Sequence, residues 1–299
     1  MISNNTGMIP KEILRKVRYI ELHTRHLVND VFSGEYHSVF KGQGMEFAEV
    51  REYQYGDDIR TIDWNVTARY HHPFVKVHEE ERELNVMLAV DASQSGAFGS
   101  KEKFKNEIAA EICALLAFSA IKNNDKVGLL IFTDQIEKYI PPRKGRSHVL
   151  RVIREILYFQ PQSTRTNIAS GLEYLLKGLK RRSIVFVVSD FEDDDFMKPL
   201  RILNQKHDVI AIQMFDKREQ ELPPVGLIKM RDAETGEEIW VNTLDRNFTK
   251  LYSEYMAERR QKFAKEARNM NLDLIHIDAG ESYVEPLVKF FKMRERRFR

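Results

Sequence analysis

The sequence predicts a three-layer α/β fold, a doubly wound and mostly parallel sheet of the Rossmann-like kind, preceded by an N-terminal helix and a β-rich elaboration. Two observations carry this. From Leu84 onward, short apolar runs rich in β-branched residues alternate with longer segments whose apolar residues recur three and four apart. The runs are apolar nearly throughout, as strands covered on both faces must be. Strand, helix and strand in repeated succession imply right-handed crossovers and so a doubly wound sheet.

Strands are expected over residues 84–91, 126–134, 182–190, 207–215 and 272–279, and helices over 103–122, 148–159, 168–179, 196–206 and 248–269. Residues 226–243 read as a hairpin turning at Thr235 and Gly236, inside an insertion over 217–247. Upstream, residues 10–31 have the period of an amphipathic helix, and residues 35–82 form a strand-like, aromatic and charge-rich block with turns at Gly42, Gly44 and Gly56. Trp64 is expected to bury this block against the α/β domain. The chain thus divides into residues 1–83, an α/β domain over 84–280, and a C-terminal helix with a basic tail over 281–299.

Composition excludes several functions. With 42% hydrophobic and 10% aromatic residues the chain can bury a core, which argues against disorder. Forty-seven basic against forty-five acidic residues leave a formal charge of +2, too balanced for nucleic-acid binding through bulk charge. Any partner is therefore met by a local site. The single cysteine, Cys113, excludes an in-chain disulfide framework and a cysteine zinc site, and lies among apolar residues as a buried small hydrophobe does. The amino terminus lacks the apolar stretch of a secretory signal, and the mostly apolar segment 109–121 carries Glu111 and falls short of the roughly 20 residues a span needs. A cytoplasmic protein without a membrane span is expected. No phosphate-binding loop motif occurs, and Gly42-x-Gly44 continues to Phe47 where a dinucleotide loop wants glycine.

Ligands of doubly wound sheets bind beyond the carboxyl ends of the strands, where strand order reverses. The first domain strand runs into Asp91, Ala92, Ser93, Gln94 and Ser95; a later one runs into Ser189 and Asp190; between them, Ser163, Thr164, Arg165, Thr166 and Asn167 precede a helix. These groups offer hard oxygen donors and no sulfur, which suits Mg²⁺ or another divalent cation such as Mn²⁺ or Ca²⁺. Asp91, Ser93 and Ser95, at alternate positions, can line one side of a tight loop.

Asp91-x-Ser93-x-Ser95, a later Thr166 opening a helix, and Asp190 ending a strand resemble the metal-ion-dependent adhesion site of von Willebrand factor A domains. The stretch EFAEVREYQYGDDIRTIDWNVTARYHHPFVKVHEEER, residues 46–82, closely resembles the signature of bacterial domain-of-unknown-function family fifty-eight, whose members carry such an A domain and accompany MoxR-type AAA+ ATPases. The resemblance implies that Ser93 and Ser95 bind the metal, that Thr166 contributes directly or through water, and that Asp91 and Asp190 hold the ion or its waters. One coordination position would stay open for a partner's carboxylate. Ser163, Thr164 and Arg165 stand where many A domains place small residues before the threonine, which leaves Thr164 an alternative to Thr166 and makes Arg165 a rim contact.

Each group also has a plainer reading. Aspartate and serine after a strand cap helices and form turns, and Thr166 reads equally as an N-cap. The charges at Arg51, Asp57, Asp58 and Arg60 are either a partner surface or a surface ion-pair network. His23 with His26, and His71 with His72, lack the carboxylate spacing of a histidine metal site. The tail over 292–299 reads as a solvated basic helix end rather than a nucleic-acid contact. The expected function is a metal-dependent protein-interaction module, not an enzyme, adapting a MoxR-type ATPase or its client in chaperone-like assembly or maturation. The alternatives are a Mg²⁺-dependent phosphatase with Asp91 as nucleophile, which wants a second aspartate where Ser93 stands, and a metal-free scaffold.

Overall fold

A computed structural model describes residues 17–22, 24, 27–28, 36, 39–40, 46–79, 83–93, 105–231 and 237–298. The upstream block holds β1 (Glu46–Glu52), α1 (Trp64–Tyr70) and β2 (Phe74–Glu79). The first half of the domain follows with β3 (Asn85–Asp91), α2 (Lys105–Lys122), β4 (Lys126–Phe132), β5 (Ile136–Arg143), α3 (Arg146–Tyr158) and α4 (Ile168–Gly178). The second half holds β6 (Ile184–Ser189), α5 (Met197–Lys206), β7 (Asp208–Phe215) and the single-turn α6 (Lys217–Gln220). The hairpin β8 (Leu227–Arg231) and β9 (Glu238–Asn242), then α7 (Arg246–Asn269), β10 (Asp273–Asp278) and α8 (Val284–Phe298), complete it.

Six strands form the central sheet in the order β10-β7-β6-β3-β4-β5. All pairs are parallel except β4 with β5. The fold is the three-layer α/β arrangement that the sequence predicts. Val86, Leu88 and Val90 of β3 face a core shared with α2, α3 and α8, while Met87 and Ala89 face a second core shared with α4, α5 and α7. The helix α2 is buried from Ile108 to Ala120 with no polar stripe, as a helix enclosed on all sides must be. Strand β5 stands outside the predicted set. Its sequence, IEKYIPPR, mixes charges with Pro141 and Pro142, which an edge strand tolerates because one side of it needs no ladder hydrogen bonds.

Close packing sets α4 against β4. A side chain at Gly171 would come within 2.8 Å of the Phe132 ring, so glycine lets the helix lie on the strand and brings the loop before it to the sheet's carboxyl edge.

The two parts of the upstream region behave differently. Ile20, Val28, Tyr36, Val39 and Phe40 enter the first core beside Phe290 and Phe291 of α8, and the Tyr36 hydroxyl donates to Asp125 Oδ2 at 3.3 Å. The elements β1, α1 and β2 pack chiefly on one another. Trp64 does not anchor them to the domain: it is 66% exposed. It opens a seven-residue helix, capped by the Asp63 carboxylate, in which no residue is buried. The tail also corrects expectation. Arg294 is buried, pairs with Asp208 and with Asp273 at 2.9 Å, and lies over the Phe40 ring, so α8 is bolted to the amino ends of β7 and β10. The turn expected at Thr235 and Gly236 lies outside the described residues, although the strands on either side pair as a hairpin.

Candidate functional site

The chain leaves β3 for β4 on one side and returns to β6 on the other, so strand order reverses between β3 and β6. Their carboxyl ends, at Asp91 and at Ser189 followed by Asp190, therefore flank the crevice where such sheets bind ligands. The Ser189 hydroxyl donates to Asp91 Oδ2 at 2.7 Å, and the Ser93 amide donates to Asp91 Oδ1 at 2.9 Å. Burial, and next the charge of Asp190, push the Asp91 carboxyl up to about 7, against the opposing pull of the hydrogen bonds from Ser93 and Ser189.

Past Asp190 the chain turns sharply. Phe191 has φ of 59°, which a bulky residue seldom adopts, and is held there by its ring stacked on Phe263 at 4.7 Å and by its amide donating to Ser189 Oγ at 3.0 Å. The Gln213 side-chain amide donates to the Asp190 carbonyl at 3.1 Å and fixes the same turn from β7.

Charge balance comes from α2. The buried Lys105 ammonium lies 3.9 Å from Asp190 Oδ2 and 2.5 Å from Glu219 Oε2. Asp91, Lys105, Ser189 and Asp190 line a cavity of about 20 Å³ with Asn106, Ala109, Val188 and Met214. That volume holds one water or one small ion.

Of the expected site residues, Asp91, Ser93 and Asp190 come together, and Ser95 lies outside the described residues, as do His23 and His26. Thr166 is half-buried on the loop before α4. That loop is tied down by Glu137 Oε1, which accepts from the Gln162 and Ser163 amides at 3.0 and 3.2 Å, and by Asp193, which accepts from Ile168 N at 2.8 Å. Arg165 is exposed beside it. Among the described residues, no three His, Cys, Asp or Glu side chains converge as a ready metal-holding group. Cys113 is buried, and that burial pushes its thiol up to about 12, so it is inert.

Around Arg51 the charges fold the upstream block. Arg51 makes a two-pronged pair with Asp57 at 2.7 and 2.8 Å, and Asp58 caps the turn by accepting from Arg60 N at 3.0 Å. Arg60 is exposed, in the same stretch as the exposed Tyr55, Ile59 and Trp64. Sequence reasoning missed Lys105, Glu137 and Glu219, whose partners are distant in sequence.

Strand order, with carboxylates and a hydroxyl at its reversal, defines a doubly wound, three-layer α/β domain. The family described as "Protein of unknown function DUF58" matches residues 49–262, and the chain belongs to it. An uncharacterized protein of Mycobacterium tuberculosis is 31% identical over 283 residues, spanning 94% of this chain and 89% of that one. Bacillus subtilis YeaD, also uncharacterized, is 28% identical over 109 residues, 36% of this chain and 25% of that one. No catalytic function is indicated for the family or these relatives.

Among solved structures, BatB from Bacteroides thetaiotaomicron is 15% identical, with a TM-score of 0.49, and covers 71% of this chain and 99% of its own. An aerotolerance-related membrane protein from Bacteroides fragilis is 16% identical, with a TM-score of 0.47, over 72% and 99%. The SpRpn10 von Willebrand factor A domain is 14% identical, with a TM-score of 0.38, over 69% and 94%. One of these neighbours is described as a membrane protein, and another, from Vibrio fischeri, as membrane spanning, which overturns the expectation of a cytoplasmic location. That expectation rested on a missing apolar segment, and the lack of a span does not fix where a domain works. No helix of the described residues is long and apolar enough to cross a membrane.

Proposed function

We propose that this protein is an interaction module that holds a divalent cation at Asp91, Ser93, Ser95, Thr166 and Asp190 and presents it to an acidic side chain of a partner. The observation that carries the reading is the pair of carboxylates at the sheet's reversal, where the Asp91 carboxyl is pushed up by burial and by Asp190. Crowded negative charge of this kind is relieved by a cation. The donor chemistry fits: carboxylate and hydroxyl oxygens are the ligands that Mg²⁺ takes, and about 20 Å³ of space lies beside Asp91, Ser189 and Asp190. Bound there, the cation would act as a Lewis acid bridging the two proteins. Arg165 would meet the partner at the rim, and the exposed Arg60, Tyr55 and Trp64 would extend the contact, aromatics and arginine being the usual anchors of interfaces.

The partner implied by the family resemblance is a MoxR-type AAA+ ATPase or its client, with this chain as the adaptor. Capture of a purified cognate ATPase on the immobilised protein tests this. Binding in Mg²⁺ that is lost in EDTA, and weakened by Thr166→Ala, is expected. Binding indifferent to EDTA would favour the metal-free scaffold instead.

One observation favours a phosphatase. Lys105 supplies the cation that an aspartyl phosphate at Asp91 would need. Asp91 is nevertheless disfavoured as a nucleophile, because its carboxyl is pushed toward the neutral form and Oδ2 is held by Ser189. Hydrolysis of p-nitrophenyl phosphate with Mg²⁺ is expected to be absent; turnover abolished by Asp91→Asn would establish the enzyme.

A further inference from the structure

We infer that Lys105 is a built-in counter-cation of the Asp91 and Asp190 pair, and that it sets how strongly the site takes a divalent cation. The inference rests on the cation-dependent reading above. Lys105 is 3% exposed, and lysine is almost never so buried unless its charge is paired. Its ammonium reaches Asp190 and Glu219 and lines the same small cavity as Asp91 and Ser189. With room for about one ion, the ammonium and a divalent cation draw on the same carboxylate at short range and repel each other. The cation-free site is therefore already partly neutralised, and affinity is lower than its oxygen donors alone would give.

Glu219 holds the ammonium back. It is the third residue of α6, where its side chain closes a capping box with Asp216, and it lies nearer to the Lys105 nitrogen than Asp190 does. The Tyr252 hydroxyl donates to the Glu219 carbonyl at 2.8 Å and ties this turn to α7. Removing the Glu219 carboxylate takes away the nearer of these two partners and shifts the ammonium toward Asp190. Two substitutions in one ion pair are thus expected to move affinity in opposite directions, which a merely structural lysine would not do.

Titration calorimetry of Mg²⁺ into the full chain separates the possibilities, with melting curves in EDTA and in Mg²⁺ beside it. Lys105→Met is expected to bind Mg²⁺ about ten-fold tighter than wild type and to gain more melting temperature from it. Lys105→Gln keeps a donor for Glu219 and is carried in parallel against loss of fold in the methionine variant. Lys105→Arg should stay near wild type, and Glu219→Gln should bind more weakly. Binding by Lys105→Met with none by wild type upholds the counter-cation and defeats the cation-dependent reading of the natural protein. Wild-type binding that both neutral variants leave unchanged or weaken overturns the counter-cation alone. No binding by any variant overturns both.

Discussion

At the scale of the residue, Asp91 is the side chain on which the site turns. A carboxyl raised in the fold above its unfolded value stabilises the protein fully below that unfolded value, near 3.8, and the contribution is lost as pH rises through about 7. In EDTA the melting temperature should therefore fall between about pH 4 and pH 7, and Mg²⁺ should flatten the fall; Asp91→Asn should reduce the dependence, leaving the part due to Glu192, whose carboxyl burial and then Asp190 also push up to about 7. A wild-type melting profile already flat in EDTA would contradict this. The aspartates and serines of the site were legible in the sequence because strand ends are legible, and two carboxylates at strand ends are unusual. Lys105 was not: it lies fourteen residues beyond Asp91 in an unremarkable basic stretch, and only folding carries its ammonium to Asp190. Glu137 was hidden for the same reason, its partners being 25 and 26 residues away.

At the scale of the element, the seating of α4 on β4 fixes where the Thr166 loop stands. Gly171→Ala gains helix propensity, yet its methyl would press on the Phe132 ring. We expect a net loss of about 1–2 kcal/mol, seen as a melting temperature lower by a few degrees. On α1 the opposite holds. Trp64 is exposed and no residue of its helix is buried, so Trp64→Ala should leave stability within about 0.5 kcal/mol while weakening capture of the partner. Unaltered capture would remove the upstream block from the interface. The helices and parallel strands could be read because each repeats a period over a long buried face. Strand β5 could not, because an edge strand has one unpaired side and Pro141 with Pro142 reads as a stop. Trp64 misled for a related reason: a large aromatic signals burial only when something packs over it.

At the scale of the whole molecule, near-neutral net charge concentrates recognition in local sites, and the fold uses many charges internally. Arg294 joins α8 to β7 and β10 through Asp208 and Asp273, so Arg294→Leu should lower stability on the order of 3 kcal/mol by leaving the Asp208 carboxylate without its cation and Asp273 with Arg297 alone. The basic tail, which in sequence resembles a solvated helix end, is in part a clamp. At the opposite end of the sheet β3 and β6 bring their acids together with a buried lysine of α2. The most direct test is calorimetric titration of Mg²⁺ into wild type and Asp91→Ala at neutral pH. Saturable binding of one ion by wild type and none by the variant is the predicted result; equal binding by both, or by neither, would contradict the account.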